Sequence, residues 1–183
     1  MKTILIAVMG ATIAFTAEAA TSVVRRTTLL VSNVEQSVNF YEKIGFHIWL
    51  KTGGPRDPNG PMSLPLNGKP GLSKFTIMAG KDEWVAMIGL LQYDQPALAR
   101  TREIMEQIGV GDAVLMIETD NVDEVYRNLQ AMNTPMLQLP KEAKTRSADS
   151  IKTVKNMFFR DPDGYVIEMS QVVRTEPLPK ENP

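Results

Sequence analysis

The stretch VSNVEQSVNFYEKIGF, residues 31–46, closes a run of β-branched and aliphatic residues that begins at Val23 and opens a segment of different period. Asn33 can cap a helix through its side-chain oxygen, with Gln36 in the capping-box position and Val34, Val38, Tyr41 and Ile44 recurring at helical spacing. Gly45 is placed to end that helix in the left-handed region. Residues 23–31 therefore read as a strand, the next dozen as an amphipathic helix, and Phe46 to Lys51 as a second strand.

The same grammar returns further along. Val114 to Thr119 reads as a strand, and Asn121 caps a helix with Glu124 in the capping-box position and Val122, Val125, Leu129 and Met132 on one face. Asn33 and Asn121 stand 88 positions apart (121 minus 33), which marks a duplicated strand–helix unit. Between the copies, residues 53–72 hold five glycines and five prolines and read as a long loop, unable to form a helix or a central strand. Phe75 to Ala79 and Trp84 to Tyr93 follow as strands. Pro96 to Ile108 reads as a linking helix with proline near its first position and Gly109 beyond its end. After the second helix come a polar loop from Lys141 to Ser150 and a strand from Val154 to Arg160. The turn Asp161-Pro162-Asp163-Gly164 then leads to a last strand from Tyr165 to Val172. Proline second and glycine fourth suit a type I turn, so these two strands should form a hairpin. The proline-rich tail, residues 174–183, is expected to be loose.

Composition narrows the chemistry. The 183 residues are 43% apolar and 22% charged with a net charge of -1, which fits a globular domain and carries no electrostatic footprint for nucleic acid. Cysteine is absent and histidine occurs once, so Cys-based zinc sites, disulfides and thiol nucleophiles are excluded. At the start, Lys2 precedes an uncharged apolar run from Ile4 to Phe15 and then Ala17-Glu18-Ala19, the order of an export signal cut after Ala19. The run is short for a membrane span. The expectation is a leader over residues 1–19 and an extracytoplasmic, periplasmic or secreted product with no stable membrane insertion after cleavage.

A strand running into VSNVEQSVNFYEKIGF, together with the late FFRDPDGYVIEM of residues 158–169, resembles the vicinal oxygen chelate superfamily of glyoxalase I, extradiol dioxygenases and bleomycin-binding proteins. The resemblance spans residues 23–173 and implies an α+β fold: two βαβββ modules forming two curled mixed sheets around one cleft, with helices on the outside. Module one would cover about 23–93 and module two about 112–173. In metal-dependent members a histidine stands seven residues before each helix cap and a glutamate follows the DPDG turn. Those positions are Arg26, Val114 and Glu168 here, and the counterpart of Glu168 in module one is Gly89. One of four holds a ligating residue, so the expectation is no metal and no other cofactor.

Strand alternation gives an independent reading. Leu29 and Val31 should face a helix, leaving Arg26, Thr28, Leu30 and Ser32 toward the cleft. By the same parity Ile167 and Met169 face a helix while Val166, Glu168 and Ser170 face the cleft. Arg26 and Glu168 are then candidates for one site, either an anion-recognising arginine held by the carboxylate or a structural ion pair in place of the metal. Glu118 shares the cleft parity, although an exposed glutamate before a helix cap is the commoner reading of such a position. Trp49, Met87 and Met116 are candidate apolar walls, or simple core residues. His47 reads as a surface histidine, the 53–72 loop as a candidate lid, and the basic cluster Lys141, Lys144, Arg146 and Lys152 as a solvated loop. The expected function is binding of a small organic molecule in the cleft, with a homodimer compatible. The alternative is a divalent-metal-dependent lyase or dioxygenase using Glu168, and metal-free acid–base catalysis at Glu168 is a third reading.

Overall fold

A computed structural model of the chain describes residues 22–55, 71–94, 98 and 108–179. The leader, most of the linking helix and the centre of the candidate lid lie outside these residues. In chain order the elements are β1 (Arg26–Leu30), α1 (Val34–Lys43), β2 (His47–Pro55), β3 (Leu72–Ala79) and β4 (Met87–Tyr93), followed by β5 (Val114–Glu118), α2 (Val122–Ala131), β6 (Met136–Arg146), β7 (Ser150–Arg160) and β8 (Val166–Pro177). They form two four-stranded mixed sheets of identical topology, β1-β4-β3-β2 and β5-β8-β7-β6. Each is a βαβββ module in which the first strand pairs in parallel with the last.

The local signals act as their chemistry requires. Asn33 Oδ1 accepts from the Gln36 N–H at 3.0 Å, and Asn121 Oδ1 accepts from the Glu124 N–H at 3.1 Å. Gly45 follows α1 at φ +104°. A glutamine of the module's last strand closes each helix start a second time. The Val34 N–H donates to Gln92 Oε1 at 2.9 Å and the Val122 N–H to Gln171 Oε1 at 3.1 Å. These buried or half-buried donors would otherwise lack intrahelical partners. At the 161–164 turn, the Gly164 N–H donates to the Asp161 carbonyl and Gly164 takes φ +97°.

The boundaries differ from the sequence expectation in four places, each for a physical reason. The supposed loop from Lys141 to Ser150 is the far end of a hairpin, with Arg146 paired to Ile151 and only residues 147–149 turning. Its charged side chains mask a strand whose cohesion comes from ladder hydrogen bonds. Residues 53–55 and Leu72 pair with one another's strands, because β2 is a sheet edge, where Gly and Pro are tolerated. β8 continues to Pro177, so Thr175, Glu176 and Pro177 pair with β7 and do not hang loose. In the other direction, residues 84–86 belong to a turn in which Asp82 Oδ1 accepts from the Trp84 and Val85 N–H groups, and β4 starts only at Met87.

One core joins the modules. Leu29, Val31, Ile88 and Leu90 of the first sheet, the buried faces of both helices, and Met157, Phe159, Ile167 and Met169 of the second sheet form a single apolar cluster. Phe40 of α1 meets the Phe159 ring at 6.1 Å, and the helices touch each other. At the module boundary the Tyr165 hydroxyl accepts from the Leu30 N–H and donates to the Leu30 carbonyl, and Asp163 Oδ1 accepts from the Ser32 N–H. Among the described residues, no strand of one sheet lies beside a strand of the other.

Candidate functional site

The parallel register of β1 and β4 sets Arg26 opposite Met87 and Thr28 opposite Gly89, on the face away from Leu29 and Val31. On this face lies an open cleft of about 520 Å³, lined among others by Arg25, Arg26, Thr28, Trp49, Ile77 and Met87. A second apolar cluster, Phe75, Ile77, Ala79, Met87, Leu91 and Tyr93, underlies it.

Arg26 is partly buried. Its guanidinium lies 5.1 Å from the centroid of the Phe75 ring, and its Nε donates to Thr28 Oγ1 at 3.2 Å. Gly89 makes this possible. A methyl group there would stand 2.9 Å from Thr28 Oγ1, 3.0 Å from Phe75 Cε2 and 3.1 Å from Arg26 Cδ, so the arginine stem crosses the strand over the one residue without a side chain. At the mouth, the Arg25 guanidinium stacks 5.1 Å from the Trp84 ring centroid, and Trp84 meets Trp49 edge-on at 5.9 Å. His47 stands outside, exposed, with Nε2 3.8 Å from Glu83 Oε1.

Of the candidates read from sequence, the structure gathers Arg26, Trp49 and Met87 at this cleft. Glu168, Glu118 and Met116 sit on the second sheet, where Glu168 lies opposite Met116 and Phe158 and accepts from Asn156 Nδ2 at 3.3 Å. Met116 is 62% exposed. Because the two sheets share no neighbouring strands, the structure does not make the Arg26–Glu168 contact within the chain. Sequence reasoning missed Phe75, Trp84 and Arg25. Nothing local links Arg25 to Trp84, whereas an isolated glycine inside a strand, Gly89, was a legible sign of close approach.

The four ligand positions suggested by the resemblance can be tested on the register. Thr28 faces Gly89 as Met116 faces Glu168, and Gln92 matches Gln171 in function, so Gly89 and Glu168 are structural equivalents. The set is a guanidinium, a glycine, a valine and one carboxylate. It does not fit a divalent cation, which needs several oriented lone pairs, and no three His, Asp or Glu side chains converge among the described residues.

The duplicated βαβββ module with capped helices and paired mixed sheets defines a two-module α+β architecture. The chain belongs to the glyoxalase/bleomycin resistance protein/dioxygenase superfamily, whose family model matches residues 23–169. Solved structures share the fold. A glyoxalase family protein from Bacillus cereus is 14% identical with a TM-score of 0.63, over 86% of this chain and 99% of that one. An antibiotic binding protein from a Streptomyces species is 21% identical, TM-score 0.50, covering 85% and 99%. The trypanothione-dependent glyoxalase I of Leishmania major is 16% identical, TM-score 0.51, covering 82% and 87%. No curated protein sequence matches the chain.

Proposed function

We propose that the protein binds a small organic molecule in the cleft of its first module, without a metal ion holding the ligand, and that it does so outside the cytoplasm after removal of residues 1–19. The observation that carries this is the side chain of Arg26, laid across Gly89 onto Phe75 in an open apolar-floored cleft, where a metal-dependent relative would present ligands. A recess with an apolar floor and a few fixed polar groups is the usual form of a small-molecule site. The antibiotic binding protein of the same fold supports the reading by analogy of class.

The same reading includes a homodimer. Val114 and Met116 are 43% and 62% exposed on the face that is, by duplication, the counterpart of the cleft wall. A second copy laying that face over the first-module cleft would enclose the ligand and set Arg26 and Glu168 from different copies toward one site. Elemental analysis and native mass spectrometry of the purified protein test the proposal together. A dimer carrying an organic adduct and no stoichiometric metal supports it; one equivalent of tightly held Mn or Zn overturns the metal-free reading in favour of a lyase or dioxygenase. A monomer that carries nothing overturns the dimer.

A further inference from the structure

Three features of the cleft bear on what it takes. Among the described residues, its lining contributes two arginines, Arg25 and Arg26, and no acidic side chain. Arg26 is already positioned, stacked on Phe75 and hydrogen-bonded to Thr28, so binding an anion through its planar fork costs little further side-chain order. Both tryptophans of the chain, Trp49 and Trp84, meet at the mouth and are 37% and 59% exposed. Exposed tryptophan rings beside two guanidinium groups favour a flat ring bearing negative charge, because the ring can stack while its charge is directed at guanidinium.

Resting on the small-molecule reading above, we infer that this cleft is a receptor for an aromatic carboxylate, with Arg26 and Arg25 recognising the carboxylate and Trp49 stacking the ring. Arg26 thereby supplies, as a fixed organic cation, the positive charge for which this module's two family ligand positions, Arg26 and Gly89, hold no metal ligand. Gly89 is a positioning residue, since any side chain there would lift Arg26 off Phe75.

Because the chain has only these two tryptophans, its intrinsic fluorescence reports on the cleft mouth. The test titrates the full protein with three probes of one shape: 4-nitrobenzoate, neutral 4-nitrobenzamide and cationic 4-nitrobenzylammonium. The expected result is saturable quenching, with the carboxylate bound about tenfold or more tighter than the amide and the ammonium weakest, since a charge-assisted hydrogen bond is worth roughly a factor of ten or more. Arg26→Gln should abolish the preference for carboxylate over amide. Arg25→Gln, at an exposed position that leaves the core untouched, should reduce it without shifting the thermal midpoint, so the inference remains testable even if the Arg26 variant folds poorly. Saturable binding with no charge preference, or a preference that survives both substitutions, overturns the anion inference while leaving small-molecule binding intact. Absence of saturable binding by all three probes overturns both.

Discussion

The Tyr41 hydroxyl on α1 donates to Asp161 Oδ2 at the end of β7, a distance of 3.1 Å across the module boundary. Asp161 is 5% exposed, and its other oxygen accepts from the Asp163 and Tyr165 N–H groups. Burial raises its pKa from the usual 3.8 to about 6, outweighing the hydrogen bonds from Tyr165, Tyr41 and Asp163 that favour the anion, and the charge of Asp163 adds to the rise. The same burial, with the neighbouring carboxylate, holds the Tyr41 hydroxyl well above its ordinary range.

The sign of the consequence follows from linkage. With its folded pKa above the unfolded value, Asp161 binds its proton more tightly in the native state. Its stabilising contribution is complete below about pH 4 and is lost as pH rises through about 6, amounting to about 3 kcal/mol in order of magnitude. Urea midpoints of wild type and Asp161→Asn between pH 4 and 7.5 should show a falling difference in favour of wild type across that window. A pH-independent difference would contradict the buried-carboxylate account.

Gly89→Ala should destabilise the protein by about 1–3 kcal/mol, the range for overpacking a filled site. The diagnostic is coupling. In an Arg26→Ala background the same glycine substitution should cost measurably less, because one of its three close neighbours is gone. Chemical denaturation of the four proteins in the cycle measures this, and strict additivity would mean that Arg26 does not cross Gly89.

The paired glutamines at the helix starts predict matched effects. Gln92→Ala and Gln171→Ala each remove the acceptor of a first-turn N–H that is at least half-buried, so each should cost about 1–3 kcal/mol. Native-state hydrogen exchange should show Val34 or Val122, respectively, losing protection. If Gln171→Ala is neutral while Gln92→Ala is not, the functional equivalence of the modules fails.

Two polar contacts of similar appearance should differ. Tyr165→Phe removes a hydroxyl that both accepts from and donates to Leu30 at the edge of β1, and about 1 kcal/mol should be lost. Lys155 and Asp123 form a close ion pair at 2.6 Å, but Asp123 is 55% exposed. Asp123→Ala should therefore shift stability by less than about 1 kcal/mol, and less again in high salt. Thermal melts at two ionic strengths separate the cases.

Much of this protein was written locally. The caps at Asn33 and Asn121, the stop at Gly45, the DPDG turn and the inward parity of Leu29, Val31, Ile167 and Met169 all follow from side-chain chemistry acting within a few residues, and they determine a duplicated βαβββ fold. Strand ends were less legible where pairing alone holds them, as in the charged 141–146 arm and the 175–177 extension of β8. What lay beyond the sequence was which surfaces meet. Parity places Arg26 and Glu168 on the cleft side of their strands, but only the packing of the two modules decides whether those sides adjoin, and within the chain they do not. The contacts that build the site, Arg26 on Phe75 over Gly89 and Arg25 on Trp84, join residues up to 63 positions apart (89 minus 26). Such neighbours are chosen by strand register and sheet curvature, which no local pattern encodes.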